Sequence, residues 1–285
     1  MLEHQTLFSI QLMCRIFQVH RSGYYVWLNK AKGSRALANE TLDAALQESF
    51  EHHKKCYGAP RLTYEMKAQG ITCSKNRIAR RMKALNLQAK SKKRFKPSSK
   101  QDIALADKIA NNILNREFAA TAVNQKYVAD ITYIPTTTGW LYLAVVIDVF
   151  SRAVIGWSMQ ATMTQQLVID AFLMAVKRRN YPRKMIFHSD RGSQYCARDF
   201  QQMLRLYDCI ISMSRTGNCW DNSVAESFFH TLKVELVHHE RYETLEEAKS
   251  SIFNYIETYY NQVRRHSSIG YVAPFIFEQQ ALLAA

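Results

Sequence analysis

Apolar residues recur along the chain with two different spacings, and the spacing changes near Asn124. Before that point apolar positions fall three or four residues apart, as at Leu42 and Leu46, which indicates amphipathic helices. After it, runs rich in Val, Ile and aromatic residues over 126–134 and 140–147 indicate strands. We therefore predict a helical amino-terminal part and an α/β carboxyl-terminal part.

The elements predicted after residue 123 follow the order βββαβαβα. They are strands over 126–134, 140–147, 153–159, 185–189 and 209–213, and helices over 164–179, 197–206 and 222–237. Turn-like residues separate the first three strands and predict an antiparallel meander. The later strands alternate with helices, which favours parallel additions to the same sheet. This order is that of a ribonuclease-H-like α/β fold with a mixed five-stranded sheet flanked by helices.

A helix-turn-helix is predicted upstream. Pro60 suits the first turn of one helix, Gly70 ends it, and Ser74 is placed to cap a basic helix that follows. The predicted divisions of the chain are a short helical segment (1–36), a basic helix-turn-helix-like DNA-binding domain with its linker (37–100), a helical connector (101–122), and a catalytic core with a helical extension (123–285).

The charge of the chain is concentrated in its first third. Residues 1–100 hold 20 Lys and Arg against 6 Asp and Glu, whereas residues 101–285 hold 18 of each. Eleven basic residues and no acidic residue lie between Lys75 and Lys100. Such a one-signed surface suits a polyanion, because contacts with phosphates release condensed counterions. We expect DNA contacts from Arg77, Arg80, Arg81, Lys83, Lys92, Lys93 and Arg94.

No apolar run reaches the ~18 residues of a membrane span, and no signal peptide is evident. The six cysteines form no Cys-x-x-Cys pair, so we interpret them as reduced residues. These patterns predict an intracellular protein without a membrane partner.

Three acidic residues are expected to converge in the predicted fold. Asp130 lies on the first strand, Asp190 follows the fourth, and Glu226 lies one turn inside the helix after the fifth, with 35 residues between Asp190 and Glu226. Carboxylate oxygens suit hard cations such as Mg²⁺, and two such ions assist an in-line displacement at phosphorus. We predict that Asp130 bridges both ions and that Asp190 and Glu226 each complete one site.

The motifs around these acids resemble those of a known family. Residues 129–134, 139–148 and 188–195 surround the first two acids, and 221–229 carries the third. Together with 260–274 near the carboxyl terminus, they resemble the OrfB-type transposases of the insertion-sequence three family, relatives of retroviral integrases with a DDE catalytic core.

The resemblance implies a DNA strand transferase that uses Mg²⁺ or Mn²⁺ to expose a 3′-hydroxyl at the ends of an insertion element and to join it to a phosphodiester. Its partners would be double-stranded DNA (terminal inverted repeats and target), further copies of the chain, and an upstream OrfA product by fusion or association. It would act in the bacterial cytoplasm, associated with the nucleoid when bound to DNA. Lys233, two helical turns after Glu226, would contact the terminal DNA.

Other residues near the acids have two interpretations each. His188 either contacts DNA or makes a supporting hydrogen bond, and Trp220 and Tyr195 either stack on an unpaired base or pack in the core. We interpret Asn222 as a helix cap that also suits phosphate, and Asp221 as a reserve metal ligand or a cap. Asp148 is a further carboxylate, for which its turn setting favours a structural role.

Two other functions remain open at this point. One is a ribonuclease-H-like nuclease that cuts without joining, and the other is a non-catalytic DNA-binding regulator. The absence of Gly-x-Ser-x-Gly and of a phosphate-binding P-loop excludes the common serine hydrolases and P-loop ATPases.

Overall fold

The structure, a computed structural model, describes residues 1–29, 33–90, 109–215 and 219–284. Its strands are β1 (Lys126–Thr136), β2 (Gly139–Asp148), β3 (Val154–Gln160), β4 (Ile186–Ser189) and β5 (Ile210–Met213). Its α-helices are α1 (Ile10–Ile16), α2 (Arg21–Leu28), α3 (Ser34–His52), α4 (Ala59–Ala68), α5 (Lys75–Ala84), α6 (Gln165–Arg178), α7 (Arg198–Leu206), α8 (Ser223–Glu235), α9 (Leu245–Asn254) and α10 (Pro274–Leu283).

The five strands form one mixed sheet in the order β3–β2–β1–β4–β5. The first three are antiparallel neighbours, and β4 and β5 add to β1 in parallel. Gly139, which begins β2 after a two-residue turn, has φ +136°, a backbone angle that residues with a Cβ rarely adopt. The predicted meander, the parallel additions and the ribonuclease-H-like sheet are thus confirmed.

The sheet is covered on both faces, and alternate residues of β1 supply the two cores. Val128 and Ile134 pack in a cluster with α8 and α9, whereas Tyr127 and Ala129 pack in a second cluster with α6 and α7. This division follows from the period of two in a strand. It also fixes the side of the sheet toward which Asp130 points, because Asp130 shares the face of Val128.

Gly156 in β3 allows α6 to approach the sheet closely. A Cβ added at this position would lie 2.2 Å from the carbonyl oxygen of Ala171 and 2.7 Å from the Cβ of Ala175. Both residues belong to α6, so any side chain at 156 would push this helix away from the sheet.

The amino-terminal helices α3, α4 and α5 pack around a small core that includes Leu46, Leu62 and Ile78. Ser74 caps α5 by accepting a hydrogen bond from the Arg77 amide at 3.2 Å, as predicted from the sequence. Upstream, α1 and α2 carry many exposed apolar side chains. Along the described part of the chain, no helix combines the length and the apolarity needed to cross a membrane.

The predicted helical connector (101–122) is wrong over its described part, residues 109–122, which form no helix. This segment runs instead along the edge of β5. The amides of Ile113 and Leu114 donate to the Oγ of Ser212 at 2.9 and 3.0 Å, and the amide of Met213 donates to Asn111. Bonding to the sheet edge therefore replaces helical hydrogen bonds, and the buried side chain of Leu114 joins the core.

Candidate active site and nucleic-acid interface

Asp130 and Asp190 lie at equivalent positions relative to the neighbouring parallel strands β1 and β4. The last aligned pair of β1 and β4 is Val128 with His188, and each acid lies two residues further along. Both side chains are partly buried. Because β1 and β4 run in the same direction, the two carboxyl groups are brought to the same end of the sheet.

Backbone amides orient both carboxylates. The amide of Ile131 donates to Asp130 Oδ1 at 2.8 Å, and the amide of Gly192 donates to Asp190 Oδ1 at 2.9 Å. A Cβ at Gly192 would itself lie 2.9 Å from that oxygen, so glycine permits this close turn. Burial, followed by the charges of Asp130 and Asp190, raises the pKa of the Tyr195 phenol well above its ordinary value. Both carboxylates therefore act electrostatically on one phenol.

Glu226 is exposed in the first turn of α8, and Asn222 fixes where that helix begins. Asn222 occupies the cap position of α8, as predicted, but its side chain makes no capping hydrogen bond to that helix. Its Nδ2 donates instead to the carbonyl of Ala129 at 3.1 Å, one residue before Asp130. This bond joins the start of α8 to β1, while Phe228 and neighbouring apolar residues bury the helix against the same face of the sheet.

The described residues do not enclose a metal cage, since they contain no group of three or more His, Cys, Asp or Glu side chains arranged to hold an ion. The donor set nevertheless fits a hard divalent cation. Asp130 and Asp190 supply carboxylate oxygens at aligned positions, and Glu226 lies on the helix that is tied beside Asp130. The structure thus brings the predicted acids to one end and one face of the sheet without closing them around an ion.

Lys233 lies two turns after Glu226 on α8 and reaches back over β1. Its Nζ is 5.1 Å from the centroid of the Tyr133 ring, a cation–π distance. The ring of Tyr133 also contacts Trp140, and both aromatic side chains are about half exposed. The ammonium group therefore lies close to β1, beside a residue three positions after Asp130.

Of the two roles considered for His188, DNA contact and a supporting hydrogen bond, its position fits the hydrogen bond. It is fully buried, with Nδ1 2.9 Å from Ser212 Oγ and Nε2 3.2 Å from Ser214 Oγ. Burial lowers the pKa of its imidazole to about 4. It therefore joins β4 to β5 and does not face DNA. The two aromatic residues differ: Tyr195 is 2% exposed and packs in the core, whereas Trp220 is 69% exposed.

The two remaining acids are buried and committed to structural contacts. Asp148 accepts hydrogen bonds from the amides of Asn124 and Phe150, and burial raises its pKa to about 6. Asp221 accepts hydrogen bonds from Asn112, Arg116 and Arg215, and chiefly the Arg215 side chain holds its pKa well below the usual range. Its two oxygens are occupied, which excludes the predicted roles of reserve ligand and helix cap in this conformation.

The Asp221 cluster escaped the sequence reasoning because its partners are distant in the chain. Arg116 is 105 residues away and Asn112 is 109 residues away. Both belong to the segment that was expected to be helical. The one local signal was Arg215, six residues before Asp221.

The basic residues of α5 divide into two groups. Arg77 donates to the Asn39 side chain at 2.9 Å and Arg81 to Asp43 at 2.7 Å, so both contact α3. Arg80 and Lys83 are exposed. The predicted contact residues Lys92, Lys93 and Arg94 lie outside the described residues.

The helical part also contacts the sheet-containing part. Arg61 forms an ion pair with Glu235 at the end of α8 at 3.5 Å, and its Nε donates to the carbonyl of Arg265 at 3.0 Å. Glu235 is paired in turn with the buried Arg264, both of whose bonds to it are 2.8 Å. These bonds join α4 directly to the helix that carries Glu226.

Comparisons with known proteins agree with this arrangement. The family model described as "Integrase core domain" matches residues 120–219, a second model with the same description matches 226–282, and one described as "HTH-like domain" matches 36–95.

Among curated relatives, "Transposase InsF for insertion sequence IS3A" of Escherichia coli (strain K12) is 45% identical over 282 residues, covering 98% of this chain and 97% of the relative. The "Insertion element IS600 uncharacterized 31 kDa protein" of Shigella sonnei is 40% identical over 268 residues, covering 94% and 98%.

Among solved structures, the HTLV-2 integrase catalytic core domain in complex with magnesium matches 55% of this chain and 97% of its own, with a TM-score of 0.41 and 17% identity. A simian T-cell lymphotropic virus intasome in complex with PP2A regulatory subunit B56 gamma matches 82% and 73%, with a TM-score of 0.46 and 15% identity. The full-length similarity to InsF and the matched domains decide the assignment: the chain belongs to the transposase family of the IS3 insertion sequences, with an HTH-like domain followed by an integrase core.

Proposed function

We propose that this transposase cleaves DNA at the ends of an insertion element and transfers the exposed 3′-hydroxyl to a target phosphodiester, with Asp130, Asp190 and Glu226 as the catalytic, metal-holding acids. The observation that carries the assignment is the alignment of Asp130 with Asp190 across β1 and β4, beside the α8 helix that Asn222 ties to Ala129. This alignment supports the proposal, because two carboxylates at one end of the sheet suit a hard cation that binds a phosphate.

Mg²⁺ or Mn²⁺, as two ions, is the proposed cofactor, with Asp130 shared and Asp190 and Glu226 each contributing to one ion. Such ions activate an attacking oxygen and stabilise a leaving oxygen in phosphoryl transfer. The protein's own contribution is orientation. The amides of Ile131 and Gly192 each hold one oxygen of an aspartate, which fixes the orientation of both carboxylates.

The proposed DNA contacts come from α8, the residues just before it, α5 and the segment after α5. Lys233 contacts the terminal DNA beside β1, and the exposed Trp220 stacks on an unpaired base at the mouth of the site. Arg80 and Lys83 bind phosphates from the exposed side of α5, together with Lys92, Lys93 and Arg94. Arg77 and Arg81 act mainly by holding α5 against α3.

We further propose that two or more copies of the chain act together on two element ends in the bacterial cytoplasm, because synapsis needs a protomer at each end. An OrfA product joins this chain by fusion or association. Residues 37–100 grip the DNA, and 123–285 perform the chemistry.

Replacing Asp190 by Asn tests the assignment. Full-length wild type, D190N and D199N are incubated with Mg²⁺ and duplexes that carry the inverted repeats flanking the gene, either intact or precleaved. Asp199 is an exposed acid on α7, so D199N is the matched control. We expect D190N to lose cleavage and joining while it retains DNA binding, and D199N to behave as wild type.

Three outcomes distinguish the alternatives. Joined products that persist in D190N would contradict the catalytic role of Asp190. Cleavage by the wild type without joining of precleaved ends would identify a nuclease. DNA binding with no Mg²⁺-dependent product in any variant would favour a non-catalytic regulator.

A further inference from the structure

A fully buried carboxylate organises two arginines beside the candidate active site. Asp221 Oδ1 accepts hydrogen bonds from Arg116 Nε at 2.7 Å and Arg215 Nη2 at 2.9 Å. Its Oδ2 accepts from Asn112 Nδ2 at 2.8 Å, and from the amide and the Nε of Arg215, each at 3.0 Å. Five donors thus fix one carboxylate, and two of its partners are guanidinium groups.

Both guanidinium groups reach the surface although their partner does not. The side chains of Arg116 and Arg215 are 43% and 49% exposed, whereas that of Asp221 is 0% exposed. The cluster carries one more positive charge than negative charge. A guanidinium presents five N–H donors in a planar fork. The bonds to Asp221 use the Nε edge of Arg116 and the Nε and Nη2 edge of Arg215, so the opposite edge of each fork is directed away from the carboxylate.

This pair lies at the same end of the sheet as the acids. Ser189 aligns with Met213 in the parallel pair β4–β5, and the amide of Ser214 continues the pairing by donating to Ser189 at 2.9 Å. Asp190 and Arg215 directly follow these paired residues. Arg191 links the segments that follow β4 and β5, since its Nε donates to the carbonyl of Ser214 at 2.7 Å.

Asp221 itself is also close in sequence to residues of the candidate active site. Asp221 immediately precedes Asn222, which donates to Ala129 beside Asp130, and immediately follows the exposed Trp220. Carboxyl ends of neighbouring parallel strands are the usual ligand-binding edge of an α/β sheet. Asp190 and Arg215 lie just beyond the carboxyl ends of β4 and β5, and Asp130 lies two residues beyond the last β1–β4 pair.

We propose that Arg116 and Arg215 together bind a phosphodiester of the DNA strand that enters the site, next to the phosphate undergoing reaction, and that Asp221 is the positioning residue that holds both guanidinium groups. The inference rests on the proposed function, because it assigns a second phosphate subsite to the same DNA. A planar fork suits bidentate phosphate binding, and a pair of forks fixed by one carboxylate loses little freedom when the phosphate arrives.

The dependence of DNA binding on salt tests the proposal without requiring catalysis. Full-length protein is titrated in EDTA with a labelled, precleaved duplex carrying one flanking inverted repeat, at several salt concentrations. The variant R116Q/R215Q/D221N removes the cluster's excess positive charge without leaving a buried carboxylate unpaired. We expect about tenfold weaker binding and a plot of log affinity against log salt that is less steep by about 0.9, the loss of one phosphate contact.

R183Q is the matched control. Arg183 is also an exposed arginine paired with an aspartate, Asp208, at 2.7 Å, but it precedes β4 at the opposite end of that strand. It removes the same net charge, so it accounts for long-range electrostatics. We expect its salt dependence to equal that of the wild type.

The variant D221N tests the positioning role. It keeps both arginines and raises the net charge of the cluster by one, so charge alone would strengthen DNA binding. We expect weaker binding instead, in a protein whose circular dichroism is unchanged, because the anchor of both guanidinium groups is lost. If the triple variant fails to fold, R215Q alone gives the same comparison, because Arg116 still neutralises Asp221. A folded triple variant, or R215Q, with the wild-type slope would overturn the phosphate subsite. Binding by D221N that is as tight as that of the wild type, or tighter, would overturn the positioning role.

The outcome is independent of the catalytic assignment. If the wild type produces no joined DNA in the Mg²⁺ assay but the slope still falls in the triple variant, the proposed chemistry fails and the phosphate subsite stands. If the wild type joins DNA and the slope does not change, the subsite fails and the chemistry stands.

Discussion

Asn222 donates a hydrogen bond from Nδ2 to the carbonyl of Ala129 at 3.1 Å, across 93 residues of chain. The bond links the residue before α8 with the residue before Asp130. Two sections of the chain that carry different acids are thereby held at one point. The amide oxygen of the same side chain is buried, and the described residues offer it no hydrogen-bond partner.

Replacing Asn222 by Ala should separate the start of α8 from β1. We expect joining activity to fall by at least about tenfold and the free energy of unfolding to fall by about 1 kcal/mol, since one buried hydrogen bond is lost and one unsatisfied oxygen is removed with it. Urea unfolding and the joining assay measure the two effects. N254A, at an exposed position, is the control; equal activity in both variants would contradict the positioning role.

Replacing Glu235 by Ala should have a much larger effect on stability. The change leaves Arg264, 3% exposed, without its carboxylate, and it also removes the acceptor of the Tyr255 hydroxyl at 2.8 Å. Removing one partner of a buried pair costs about 3–5 kcal/mol. Guanidinium unfolding measures the loss.

The control for E235A is E51A, which breaks the exposed Lys55–Glu51 pair. Such pairs contribute about 1 kcal/mol or less. Similar losses for both variants would show that the Glu235–Arg264 pair does not stabilise the folded chain in the way that its burial indicates.

Replacing both Arg80 and Lys83 by Gln should weaken DNA binding because both side chains are exposed on α5. The salt dependence should become less steep by about 1.8, corresponding to two phosphate contacts. The control R77Q removes a basic residue that contacts α3 through Asn39, and its slope should change less. Fluorescence anisotropy at several salt concentrations distinguishes the variants; an unchanged slope in R80Q/K83Q would place the DNA elsewhere.

His266 should make the folded state less stable in acid. Burial, followed by the charges of Arg264, Arg152 and Arg61, lowers the pKa of its imidazole from 6.5 to about 3. Below about pH 6.5 the unfolded chain therefore binds a proton at His266, whereas the folded chain binds it only near pH 3. The contribution of His266 to folding stability is complete above pH 6.5 and is lost as the pH falls toward 3.

The measurement is urea unfolding of wild type and H266N between pH 7 and about pH 4. We expect the stability of the wild type to decline more steeply, so that the difference between the two proteins narrows in acid. Asp148, whose pKa is raised to about 6, acts in the opposite direction but is present in both proteins. Parallel pH profiles would contradict the prediction.

Much of the sheet was predictable from the sequence because its strands leave strong local signals. β2 is an apolar run buried on both faces, and β1 alternates between two cores, so their extent and pairing follow from composition and period. Asp130 followed from β1, Asp190 from β4, and Glu226 from the helix predicted over 222–237.

The errors arose where long-range contacts decided the local structure. Ile109 and Ile113 have helical spacing, yet the hydroxyl of Ser212, about a hundred residues away, accepts hydrogen bonds from the amides of Ile113 and Leu114 and holds this segment along a strand edge. Asn222 has the residue type of a helix cap, yet a free carbonyl on Ala129 takes its amide. Local preference is a weak prior when a distant polar group must be satisfied.

The last helix, α10, returns to the sheet through Glu278, which accepts hydrogen bonds from Ser151 and from Arg179 Nη1, the latter at 2.8 Å. Arg179 in turn lies 3.8 Å from the buried Asp148. A shortened protein that stops before residue 274 would therefore expose this charged chain of contacts between β2 and α6. Studies of the isolated core must keep the carboxyl-terminal helix if they are to observe the native sheet.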